Sequence, residues 1–122
     1  MYKLAHVGIQ VSNMERSLRF YTEALGGKKG PEFTMKSGAF LTFVEFADFS
    51  IELIYKKLDD RRPGPNHMAI AVDDIYAAVR KVAAAGFPAK ESDIGHMGDH
   101  AKNIFITGPD GEMIELCEGA LY

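Results

Sequence analysis

Apolar and polar residues alternate along this chain in short runs, broken by two longer amphipathic stretches, and the whole scheme occurs twice. Residues 3–11 (KLAHVGIQV) alternate with a period of two, the signature of a half-buried strand. Ser12 or Asn13 can cap a following helix in which Leu18, Tyr21 and Leu25 make an apolar stripe, and Gly26 and Gly27 stop it. Strands are predicted near 31–37, 39–46 and 49–56, and the charged, proline-bearing stretch 56–65 reads as a connector. The plan then recurs, with a strand at 66–72, a helix from Asp73 or Asp74 to Ala85, and strands near 88–92, 101–107 and 112–118. Gly108-Pro109-Asp110-Gly111 marks the turn between the last two. Each half reads βαβββ, an α+β pattern.

The two halves match in detail. His6 to Gly27 (HVGIQVSNMERSLRFYTEALGG) and His67 to Gly86 (HMAIAVDDIYAAVRKVAAAG) each run from a histidine through alternating residues, a polar cap pair and a helix to a glycine. SIELIY, from Ser50, matches MIELCE, from Met113. His6 and His67 stand 61 positions apart, and Glu52 and Glu115 stand 63 apart, so a small insertion separates the copies. Two copies imply a pseudo-twofold pair and exclude a solenoid, which needs about three repeats to build a continuous core.

Strand parity sorts the polar residues. Successive side chains point to opposite faces of a strand. Val7, Ile9 and Val11 therefore share the face expected under the first helix, and His6, Gly8 and Gln10 share the other. Met68, Ile70 and Val72 oppose His67, Ala69 and Ala71; Ile51, Leu53 and Tyr55 oppose Glu52, Ile54 and Lys56; Ile114 and Leu116 oppose Met113, Glu115 and Cys117. Each half thus carries one histidine and one glutamate on the face away from its helix, beside small residues that leave room.

Composition narrows the chemistry. The chain has 122 residues, 47% of them hydrophobic and 25% charged, which suits one compact domain with its own core. A net charge of −3 with scattered lysines and arginines argues against nucleic acid as a partner. The single cysteine, Cys117, excludes an internal disulfide or a cysteine-rich zinc site and fits a reducing compartment. No segment approaches the roughly 20 apolar residues of a membrane helix, and a cytoplasmic location is expected. Two imidazoles and two carboxylates suit a divalent ion such as Zn²⁺, Ni²⁺, Co²⁺, Mn²⁺ or Fe²⁺ and leave positions open for a substrate on a six-coordinate metal. A lone strand histidine or glutamate would mean little; two His–Glu pairs at matching places in a repeat carry the argument.

These motifs together, HVGIQVSNMERSLRFYTEALG, IEL, HMAIAVDDI and GPDGEMIEL, resemble the vicinal oxygen chelate superfamily, which includes glyoxalases, bleomycin resistance proteins and extradiol dioxygenases, over essentially the whole chain. The resemblance implies one domain of paired βαβββ modules (about 1–57 and 65–122) forming an open cup around a metal site. It implies His6, Glu52, His67 and Glu115 as ligands of one Zn, Ni, Co or Mn ion, the set most similar to glyoxalase I. The activity implied is that of a lyase/isomerase, in which a metal holds the oxygens of a methylglyoxal–thiol hemithioacetal and stabilises an enediolate. Glu115, or Glu52, moves the proton, with Glu115 favoured by analogy.

The residues also depart from that pattern. Many glyoxalase I enzymes carry Arg where this chain has Gln10 and Asn where it has Lys56, so glutathione is not specified. Gln10, Lys56 and Met113 are the expected substrate contacts. An acyl-CoA epimerase, a fosfomycin-type thiol transferase and a drug- or metabolite-binding protein are the competing readings, and a small-molecule substrate and a homodimer are expected. Residues 91–103 (ESDIGHMGDHAKN) read as an exposed loop, Phe40, Phe43, Phe46 and Phe49 mostly as core, and Arg61 and Arg62 as a solvated turn.

Overall fold

The structure is a computed structural model and describes residues 2–57 and 62–119 of the 122. The chain is α+β; its described residues form eight strands and two α-helices and group into two compact units. One runs from His6 to Asn66; the other runs from His67 onward and includes residues 2–5.

In the first unit, β1 (Lys3–Gln10) leads to α1 (Met14–Arg19), then β2 (Lys28–Thr34), β3 (Phe40–Glu45) and β4 (Ser50–Tyr55). The strand order is β2-β3-β4-β1, with β4 parallel to β1 and the other pairs antiparallel. The Asn13 side chain accepts the Arg16 backbone N–H at 3.0 Å, satisfying one of the donors a helix start leaves over. Val11, Val44, Ile51 and Leu53 form the core, with Ile9, Met14, Leu18, Tyr21, Phe46 and Tyr55 packed on it. The expected face assignment therefore holds for Ile9 and Val11 of β1 and for β4, while Val7 is half-buried and lies outside this core.

Leu25 corrects the expected helix stripe: it is 52% exposed. After Arg19 the helix widens into a π-helical stretch, Phe20–Ala24, closed by Leu25 N–H to the Phe20 carbonyl at 3.1 Å. An i→i+5 turn advances the side chains less far round the axis per residue, so Leu25 rotates off the Leu18–Tyr21 line. Gly26, at φ +80°, turns the chain, and a Cβ on Gly27 would run into Val44 and Phe46. Pro31 lies in β2 where the register with β3 shifts between Lys29 and Glu32, as expected of a residue with no N–H for the ladder.

The second unit repeats the plan with β5 (Gly64–Ala71), α2 (Ile75–Ala84), β6 (Gly95–Met97), β7 (Ala101–Thr107) and β8 (Met113–Glu118), in the order β5-β8-β7-β6. Asp74 caps α2 by accepting the N–H groups of Tyr76 and Ala77 at 3.0 and 3.1 Å, and Glu118 accepts that of Ile75 at 3.0 Å. The core is Val72, Ile75, Ala78, Val79, Ile94, Ile104 and Leu116. It reaches Ile70 but not Met68, which is 41% exposed although parity had placed it under the helix. The same closure recurs in both units: Val11 N–H bonds the Ile54 carbonyl at 2.9 Å, and Val72 N–H bonds that of Cys117 at 2.8 Å.

The strand expected near 88–92 is not formed. Residues Glu91–Asp93 make one 3₁₀ turn, and β6 lies instead within the stretch read as a loop. Pro88 removes a ladder donor, while burial of Ile94 in the core pins the chain just before β6. Gly98, at φ +68°, then turns it back into β7. The Gly108–Gly111 turn forms as expected, with Gly111 N–H to the Gly108 carbonyl at 3.0 Å. Arg61 lies outside the described residues, and Arg62 is exposed. No helix among the described residues is long and apolar enough to cross a membrane.

Candidate functional site

In the first unit the parallel pairing of β1 with β4 sets Gly8 opposite Glu52 and His6 opposite Ser50, so His6 and Glu52 lie on adjacent strands and one face. Antiparallel pairing with β3 sets Phe43 opposite Glu52. The His6 and Phe43 rings meet edge to face, with centroids 5.4 Å apart and planes at 82°. His6 is 1% exposed, Phe43 3% and Glu52 9%. Gln10 lies on the same face and is buried, and its Oε1 has no hydrogen-bond partner among the described residues. Lys56 lies just past β4 and is exposed.

The second unit builds the same figure. Ala69 pairs with Glu115 across β5 and β8, and Phe105 on β7 faces Glu115. The His67 and Phe105 rings meet edge to face at 5.3 Å and 83°. Here the two polar residues touch directly: His67 Nε2 lies 3.1 Å from Glu115 Oε1, both side chains almost fully buried. Glu115 Oε2 accepts Asn103 Nδ2 at 3.0 Å. Met113, half exposed, begins β8. Cys117 is buried on this face and its thiol meets the Ile70 carbonyl at 3.6 Å. Burial, with the Glu115 carboxylate adding to it, pushes that thiol up to about 12, so it stays protonated and inert at neutral pH. His96 and His100 are exposed.

Three residues of this arrangement escaped the sequence. Phe43 and Phe105 each face the glutamate of their own unit, and Asn103 holds Glu115. Hairpin register was the missing information: Phe43 sits nine residues before Glu52 but Phe105 ten before Glu115. A groove of about 470 Å³ along β7, lined by residues including Phe87, Ile104 and Phe105, takes in none of the histidines or glutamates.

Two βαβββ units, each presenting a buried imidazole, a phenyl ring against it and a buried carboxylate on the sheet face away from its helix, define a protein of the glyoxalase fold class. The Glyoxalase/Bleomycin resistance protein/Dioxygenase superfamily matches residues 3–116, and the chain belongs to that superfamily. It is 33% identical over 130 residues to a protein named probable lactoylglutathione lyase from Vibrio parahaemolyticus, covering 95% of this chain and 90% of that one. A lactoylglutathione lyase of Haemophilus influenzae is 30% identical, covering 95% and 92%. Among solved structures, a hypothetical protein from Bacillus halodurans superposes with a TM-score of 0.86 at 25% identity, covering 99% and 96%. Methylmalonyl-CoA epimerase from Mycobacterium tuberculosis superposes with a TM-score of 0.82 at 25% identity, covering 97% and 88%.

Enzymes of this superfamily usually use a divalent metal, and the second unit's donor pair fits one. Imidazole nitrogen and carboxylate oxygen are suitable donors, and two such ligands at about 2.1 Å from one ion and at right angles would lie about 3.0 Å apart. The 3.1 Å between His67 and Glu115 is that spacing.

Proposed function

We propose that this chain is a metal-dependent lyase/isomerase of glyoxalase I type, acting on the hemithioacetal that methylglyoxal forms with a thiol. In this reading the two modules, about 1–57 and 65–122, form one glyoxalase-like domain with an open cup, and His6, Glu52, His67 and Glu115 hold one Zn, Ni, Co or Mn ion. The observation that carries it is the matched figure of His6, Phe43 and Glu52 in one unit and His67, Phe105 and Glu115 in the other, buried in both except for the half-exposed Phe105.

When bound, the ion supplies Lewis-acid polarisation of the substrate oxygens. The chain does the rest. Glu115, with Glu52 as its counterpart, takes the proton from the carbon beside the carbonyl and returns it to the neighbouring carbon. Phe43 and Phe105 keep water from the carboxylates. Gln10 presents a buried amide oxygen to the substrate, Met113 a thioether at the start of β8 and Lys56 an ammonium group past the end of β4.

A second reading has a specific support. The Mycobacterium tuberculosis epimerase shares the fold over 97% of this chain, and acyl-CoA epimerisation is also a proton shift beside a carbonyl. The deciding experiment is elemental analysis of the purified protein, coupled to assays of methylglyoxal with glutathione and other thiols and, in parallel, of methylmalonyl-CoA. Turnover of a methylglyoxal–thiol adduct by protein holding about one metal ion per site supports the proposal. Turnover of the acyl-CoA alone replaces it with the epimerase reading, and tight ligand binding by metal-free, inactive protein replaces it with sequestration. The assembly in this reading is a homodimer, and light scattering that returns the monomer mass overturns that part.

A further inference from the structure

The repeat is closely kept at the histidine, the phenylalanine and the glutamate, but not at the residue two places before the phenylalanine. In β3 that residue is Leu41, apolar and buried. In β7 it is Asn103, whose Nδ2 donates to Glu115 Oε2 at 3.0 Å while His67 Nε2 meets Oε1 at 3.1 Å. Both oxygens of this one carboxylate are thus engaged, from two different strands.

The amide is itself oriented. An ionised carboxylate only accepts hydrogen bonds, so Asn103 must turn its nitrogen to Glu115 and its oxygen the other way. That oxygen faces Gly95, the cross-strand partner of Asn103 on β6. A Cβ on Gly95 would lie 3.1 Å from Asn103 Oδ1, a close contact that the amide would have to yield to by a few tenths of an ångström. Gly95 is not in the left-handed region, so its backbone does not call for glycine; its missing Cβ leaves the amide oxygen uncrowded.

We propose that Asn103 is a positioning residue for Glu115. Its hydrogen bond, with room made by Gly95, stops the carboxylate from rotating and keeps Oε1 turned toward His67, where an ion would be shared. The inference rests on the reading of Glu115 as a metal ligand, and it concerns a residue with no counterpart in the first half of the chain.

The test is Zn²⁺ affinity of the full-length protein, measured by competition with a chromophoric chelator, alongside the melting temperature of the metal-free protein and kcat and KM. Removing a group that orients a ligand costs about 10–100-fold in metal affinity. Asn103→Leu, which copies Leu41, should lose affinity by that factor, and the metal-free melting temperature reports separately the cost of taking this donor from Glu115 Oε2. Asn103→Ala removes the donor without adding a carboxyl group beside Glu115, and should lose affinity too. Gly95→Ala should push the amide aside and lose less than Asn103→Leu. These two variants decide the matter if Asn103→Leu does not fold. Wild-type affinity in the folded Asn103 variants overturns the positioning role while leaving the metal reading intact. Wild-type protein that binds no Zn²⁺, Ni²⁺, Co²⁺ or Mn²⁺ overturns the metal reading itself.

Discussion

His67 and Glu115 meet Nε2 to Oε1 at 3.1 Å, buried on the β5–β8 face of the second unit. A buried carboxylate is tolerated only when paired or hydrogen-bonded, and this one has both kinds of partner, His67 and Asn103. Desolvation offsets most of what such a pair contributes to stability, and if Glu115 acts as proposed the following outcomes are expected.

Glu115→Gln keeps the shape of the side chain and removes its basicity. Turnover of the methylglyoxal adduct should fall by about 10²–10⁴-fold, the usual size of a proton-transfer contribution. Near-ultraviolet circular dichroism should show the fold retained. Unchanged turnover with metal still bound would remove Glu115 from the proton transfer.

Metal removal should cost stability as well as activity. An ion that binds only the folded chain stabilises it by about 2.7 kcal/mol at a free concentration 100 times its dissociation constant. Dialysis against a chelator should therefore lower the melting temperature, and re-addition of the ion should restore it. A melting temperature indifferent to both treatments contradicts a metal held by the folded protein.

Glu118 links β8 to the start of α2. The Ile75 backbone N–H, and then Lys102 at 3.1 Å, hold its carboxyl below the ordinary value of 4.5. A carboxyl lowered on folding contributes stability that is present above its unfolded value and lost as pH falls through its folded value. Glu118→Gln should be less stable than wild type at pH 7, and the difference should shrink on acidification below about pH 4.5. Urea midpoints across that range measure it, and a gap that stays constant with pH refutes the linkage.

Gln10 carries a buried amide oxygen without a hydrogen-bond partner among the described residues. A buried oxygen without a partner carries a desolvation cost of about 1–3 kcal/mol that an apolar side chain does not. Gln10→Leu should thus leave urea stability unchanged or higher, yet raise KM for the thiol adduct. A variant with wild-type KM takes Gln10 out of the substrate contacts.

The β1 and β4 faces, both βαβββ orders and the His–Glu pairing were readable from period and repetition alone, because alternation on a strand is a local property. The misreadings have two causes. Leu25 left its stripe because the π-helical turn changed the period, Met68 because the α2 core ends at Ile70, and β6 moved to Gly95–Met97 because Ile94 found its place in the core. The last two depend on neighbours distant in sequence, and the first on a change of helix period that residue type does not mark.

The same division holds at the site. By itself the sequence determined which residues are candidates for the chemistry and which strand face each occupies, since both follow from residue type and a two-residue period. Tertiary structure alone decided that Phe43 and Phe105 stand against the histidines, that His67 reaches Glu115, and that Asn103 with Gly95 orients that carboxylate. Those contacts are set by cross-strand register, which hairpin length and core packing fix together and no single segment encodes.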